Sequence, residues 1–261
     1  VLYGGAAAVA LVLTALSWSH QRIFWSMEGL WEETLHRNPK AWIAHQCLGE
    51  LLSRQGRLDE AIAHFRKELE IAPDFAEQHY NLGIALAAKG QTAEALSHYD
   101  RAVELDPHCA EAHNNAGVLL ESQGHIEEAI ARYQAALAIR PRFADAHVNW
   151  GLALAARQQY DEAAKHYAEA LRISPRHAEA HTNWGAVLMA QGRAAEAVEH
   201  LAHAAELEPE SPDAHLNLAR ALAAAGRLSD AIRSCETALR IAPGYPKAQS
   251  ALASFRARLG Q

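Results

Sequence analysis

Five asparagines, Asn81, Asn115, Asn149, Asn183 and Asn217, and five acids, Glu77, Glu111, Asp145, Glu179 and Asp213, have the types and spacing to hold another molecule. Each acid precedes its asparagine by four residues, which on a helix places both on one face. An amide offers a donor pair and an acceptor, so a regular ladder of amides can hold the backbone of an extended peptide without reading its sequence. The same groups can instead serve helix solubility and hydrogen bonds between neighbouring elements. Both uses stay open at this level.

Histidine forms a third column, His45, His79, His113, His147, His181 and His215. His177 with His181, and Cys109 with His113, have the four-residue spacing of a helical metal-ligand pair. Yet HAEAH is not HExxH, and neither pair has an evident third ligand, so half-buried packing is expected and no metal. Cys47, Cys109 and Cys235 fall in unrelated columns with no metal or redox spacing. Gly4 and Gly5 lie in an apolar run without a phosphate-binding context. Acids and histidines recur in register and form no unique constellation, so no catalytic residues, cofactor or small-molecule substrate are expected. A net charge of −7 without a basic stripe argues against nucleic acid.

The elements that must position these columns follow from the prolines. Pro39, Pro73, Pro107, Pro141, Pro175, Pro209 and Pro243 each lie 34 residues after the one before. Within each period come a small residue (Gly49, Gly83, Gly117, Gly151, Gly185, Ala219) and an alanine column (Ala61, Ala95, Ala129, Ala163, Ala197, Ala231). Four residues after each alanine stands a larger group, Phe65, Tyr99, Tyr133, Tyr167, Leu201 or Cys235, on the same helical face. Gly56, Gly90, Gly124, Gly192 and Gly226 suit the left-handed residue that ends a helix. Gln158 breaks that column, and its turn is expected to be looser or differently built. Each unit is thus a helix, a short turn and an antiparallel second helix that stops before the proline. A lone hairpin leaves an apolar stripe uncovered, so neighbours must stack.

The period, the Leu/Trp-Gly pair, the alanine, the aromatic four later and the closing proline resemble the tetratricopeptide repeat (TPR). The resemblance implies an all-α, right-handed superhelical solenoid, with six repeats over residues 42–244 and a capping helix over 245–261, where the array is expected to end. It also implies that the first helices line a concave groove. The acid and asparagine columns are similar to those of the O-GlcNAc transferase repeats, whose groove grips protein substrates. The expected partner is a protein or extended peptide segment. Ala87, Ala88, Ala155, Ala156, Ala190, Ala223 and Ala224 should leave the floor open, and no dense Lys/Arg row is present to clamp an acidic terminus.

The N-terminal region reads differently. The first residue is Val1, which fits a piece of a longer polypeptide or a processed product. Residues 1–18, VLYGGAAAVALVLTALSW, carry no charge and as a helix would reach about 27 Å against a hydrocarbon core of roughly 30 Å. A transmembrane helix is expected, with Trp18, Phe24 and Trp25 near an interface; a signal-peptide remnant or a buried helix are the alternatives. Residues 19–41 form a membrane-proximal half repeat, with one helix over 21–39. This order of apolar span, SMEGLWEETLHRNPKAWIAHQCLG and repeats is similar to the junction in membrane TPR proteins related to O-mannosyltransferases. That resemblance implies an array on the extracytoplasmic side, recruiting acceptor proteins for catalysis carried upstream. The two readings are therefore a membrane-tethered interaction module and the C-terminal region of a polytopic glycosyltransferase.

Overall fold

The computed structural model describes residues 27–260. All the regular elements among them are helices. A short helix α1 (Met27–Arg37) precedes the first helices α2 (Trp42–Arg54), α4 (Ala76–Ala88), α6 (Ala110–Ser122), α8 (Ala144–Ala156), α10 (Ala178–Ala190) and α12 (Pro212–Ala224). The second helices are α3 (Leu58–Ile71), α5 (Thr92–Leu105), α7 (Ile126–Ile139), α9 (Tyr160–Ile173), α11 (Ala194–Leu207) and α13 (Leu228–Ile241). A last helix, α14 (Pro246–Leu259), stands in first-helix register. The apolar residues 1–18, and Phe24 and Trp25, lie outside the described residues. Among the described residues no helix is long and apolar enough to cross a membrane.

Local chemistry sets the C-terminal ends of the paired helices. The second helices stop two residues before the proline, and Ala72, Asp106, Arg140, Ser174, Glu208 and Ala242 turn to φ between −122° and −141°. That is the extended region into which a following proline forces its predecessor. First helices close on a left-handed residue, and here the expectation for Gln158 is corrected. Gln158 adopts φ 60°, and the Gln159 amide donates to the Leu154 carbonyl at 2.9 Å, as the Arg57 amide does to Leu52 in the glycine-containing turn. The turn is the same in both; two closing hydrogen bonds outweigh the cost of a side chain in the left-handed region.

The chain forms two compact units, one up to Leu119 and one from Leu120. In the first, Leu48, Phe65, Leu82 and Tyr99 make one buried cluster that Ala112 and Ala116 of α6 complete. In the second, Tyr133 and Tyr167 are fully buried, and Leu201, Cys235 and Phe255 continue the core to α14. Burying each such aromatic contributes about 1.5–3 kcal/mol. Its bulk is admitted by the small-residue column: a Cβ on Gly83 would lie 2.6 Å from the Tyr99 ring. In the last repeat the pair is inverted, with Ala219 and Cys235 in one buried cluster, so a larger small residue goes with a smaller large one.

Candidate functional site

The ladder lies on the first helices. All five asparagines are half-buried, while Glu77, Asp145, Glu179 and Asp213 are exposed and Glu111 is half-buried. Sequence reasoning missed a third member of this face, seven residues after each acid: Ile84, Val118, Leu152, Ala186 and Arg220. Ile84, Val118 and Leu152 are 37%, 41% and 40% exposed, so apolar surface sits beside the amides in three successive first helices. The signal was present as spacing, since i, i+4 and i+7 share a helical face.

Each unit has a cavity on this face. In the first, Glu77, Asn81 and Ile84 of α4 and Glu50, Ser53 and Arg54 of α2 line a cavity of about 350 Å³. In the second, Thr182, Ala186 and Met189 of α10 with Asn217 and Arg220 of α12 line one of about 220 Å³. Acid, amide and small apolar groups thus alternate along an open surface. Such a surface can accept backbone amides and apolar side chains together.

Part of the ladder is used between repeats. The Asn115 amide donates to the Tyr80 hydroxyl at 3.2 Å, and the Asn114 amide donates to Asn115 Oδ1 at 3.2 Å. Asp145 pairs with His177 Nε2 at 2.9 Å, and Asp213 accepts from the Tyr245 hydroxyl. His177 also accepts the Ala180 amide at Nδ1, at 3.3 Å, so this histidine caps α10 and fastens the previous repeat. By contrast, Asn183 Nδ2 is buried without a hydrogen-bond partner, and Asn81 and Asn217 line the cavities. Asn183, Asn81 and Asn217 are therefore the members with hydrogen-bonding capacity to spare.

Of the histidine column, expected to be half-buried, His79, His113, His147 and His215 are, while His45 and His181 are buried, and the structure adds a second column behind it. His45, His79, His147, His181 and His215 each place Nε2 at 3.0–3.3 Å from the carbonyl of the proline six residues earlier. The first four also meet a histidine of the second helix, His64, His98, His166 or His200, always 19 residues on. Burial holds His64, His79, His98, His147 and His181 below the ordinary imidazole range and pushes His166 and His200 down to about 4. Among the described residues no group of three or more His, Cys, Asp or Glu could hold a metal ion.

Family models of the tetratricopeptide repeat match residues 39–106, 80–142, 151–192 and 188–259. No curated protein matches the chain. Among solved structures, the APC/C hetero-tetramer Cut9-Hcn1 superposes with a TM-score of 0.75 at 18% identity, over 87% of this chain and 45% of that one. Pseudomonas aeruginosa PilF gives 0.71 at 22% identity, over 83% and 98%. YrrB, a TPR protein with an unusual peptide-binding site, gives 0.57 at 26% identity, over 72% and 96%. This chain spans less than half the length of the Cut9-Hcn1 chain that it matches. Repeat period, helix pairing and these matches agree, and the chain belongs to the tetratricopeptide repeat family.

Proposed function

We propose that the chain is a protein-protein interaction module that takes an extended peptide segment along the first-helix face, within either unit. The observation that carries this reading is the half-buried asparagine followed three residues on by an exposed apolar residue in α4 (Asn81, Ile84), α6 (Asn115, Val118) and α8 (Asn149, Leu152). Repeated positions of this kind offer backbone hydrogen bonds and shallow apolar contact together, which suits an extended chain better than a compact ligand. The similarity to YrrB, whose peptide-binding site is unusual for a TPR protein, supports the class of ligand. Glu77, Glu111, Asp145, Glu179 and Asp213 flank the row, so a peptide with basic or neutral flanks is favoured over an acidic one.

The uncharged residues 1–18 support a membrane tether. The similarity of the whole junction, apolar span, SMEGLWEETLHRNPKAWIAHQCLG and repeats, to that of O-mannosyltransferase relatives favours a second reading, the C-terminal region of a polytopic enzyme of that kind, with the repeats on the extracytoplasmic side recruiting acceptor proteins. Both readings assign the same work to the face.

A photoreactive side chain at position 149 of the full chain, followed by mass spectrometry, tests the face. Extended segments of other proteins should be captured, and Asn183→Ala with Asn217→Ala should reduce capture about tenfold or more. Capture of lipid alone, or undiminished capture by the variant, refutes the peptide face.

A further inference from the structure

Four repeats carry the same pair of imidazoles, two pairs in each unit. His45 with His64, His79 with His98, His147 with His166, and His181 with His200 face each other Nδ1 to Nδ1 at 2.9–3.1 Å. The first ring of each pair also has Nε2 at 3.0–3.3 Å from the proline carbonyl that opens its repeat. A carbonyl only accepts, so that Nε2 carries the hydrogen. The neutral first ring then has a bare Nδ1, which must accept from the Nδ1–H of the second ring. A chain of two hydrogen bonds therefore ties second helix, first helix and preceding loop. It survives one added proton, which the second ring takes at its other nitrogen. A second added proton sets N–H against N–H and breaks it.

We propose that these pairs are a proton-operated latch on the helical hairpins, closed at neutral pH and released by acid. Repeats three and six give the internal contrast: Arg132 and Ser234 stand where the second histidine would be, and His215 keeps its proline carbonyl at 3.1 Å. The tie to the loop therefore does not need the pair, while the tie between helices does.

The surrounding charges do not cancel the effect. Glu60 faces His64; Asp74 and Glu94 face the second pair together with Arg66 and Arg101. Glu162 and Glu169 face the third with Lys165 and Arg172. Around the fourth pair, Glu196 is set against His177 and His203, two further bases. Trp150 and Trp184 lie 4.0 and 4.1 Å from His166 and His200, a contact that favours a charged ring, yet burial dominates and holds both down to about 4. A base whose folded pKa is depressed stabilises the fold above its unfolded value, about 6.5, and that contribution is lost as pH falls toward the folded value.

Urea unfolding of the full chain at neutral pH and at about pH 5 tests the latch, alongside a variant with His64, His98, His166 and His200 all changed to Ser, as at Ser234. The natural chain should lose about tenfold in its folding equilibrium per pair beyond what the variant loses. Equal losses overturn the proposal. If the variant does not fold, proton titration of the natural chain's histidines decides. His79 with His98, His147 with His166, and His181 with His200 titrating well below about 6.5, each pair in two coupled steps, sustain the latch; ordinary independent titration overturns it.

Discussion

Gln158 holds φ 60° on an exposed turn, in a position that glycine fills in five other repeats. The side chain adds strain and finds no compensating contact, so Gln158→Gly should stabilise by about 0.5–1 kcal/mol after allowing for the freer unfolded glycine. A melting temperature raised by roughly 2 °C in a thermal scan is the expected outcome. No change would mean that the left-handed turn is already relaxed. The column was legible because glycine recurs every 34 residues, but the conformation at Gln158 was not. A residue type reports a preference, and the hydrogen bonds that close the turn decide. The histidine pairs were legible in principle, as a 19-residue spacing repeated four times, yet one column read alone looked like packing.

Helix joints show the same rule from the other side. Glu68 of α3 is wholly buried where the other second helices place Ala102, Ala136, Ala170, Ala204 and Ala238. Gln78 of α4, 3% exposed, likewise stands in an alanine column. Neither Glu68 oxygen has a well-formed hydrogen bond. Burial, reinforced by Glu50 and Glu77 and only partly opposed by the Gln78 side chain, pushes Glu68 up to about 7. A carboxyl with a raised folded pKa costs nothing below its unfolded value near 4.3, and its cost grows until pH passes the folded value. Glu68→Ala should therefore stabilise the chain by about 2 kcal/mol at pH 8 and far less at pH 5, measured by urea unfolding at both. An equal gain at the two values would show that packing, not ionisation, sets the cost. The ladder was half legible for a related reason. Four-residue spacing put acid and amide on one face, but the partner of Asp145 is His177, 32 residues away on the next repeat, where only stacking brings it close.

At the scale of the chain, the bonds between neighbours repeat with the period. Asp59 with Lys89, Glu127 with Arg157 and Asp161 with Gln191 all join residues 30 apart, and Asp145 with His177 and Asp213 with Tyr245 join residues 32 apart. Deleting residues 144–177, one period, would bring α10 into the place of α8, with Asn183, Trp184 and Gly185 for Asn149, Trp150 and Gly151. The shortened chain should keep its helicity per residue and a cooperative melt, a few degrees lower for the lost neighbour interface. Circular dichroism would read both, and a broad, non-cooperative melt would show that the second unit depends on more than adjacent contacts.

The closing proline and the left-handed turn thus do more than end helices. Together they make length a counted quantity: the molecule can grow or shrink only in whole steps, and at each step the new end meets its neighbour with a surface already cut to fit.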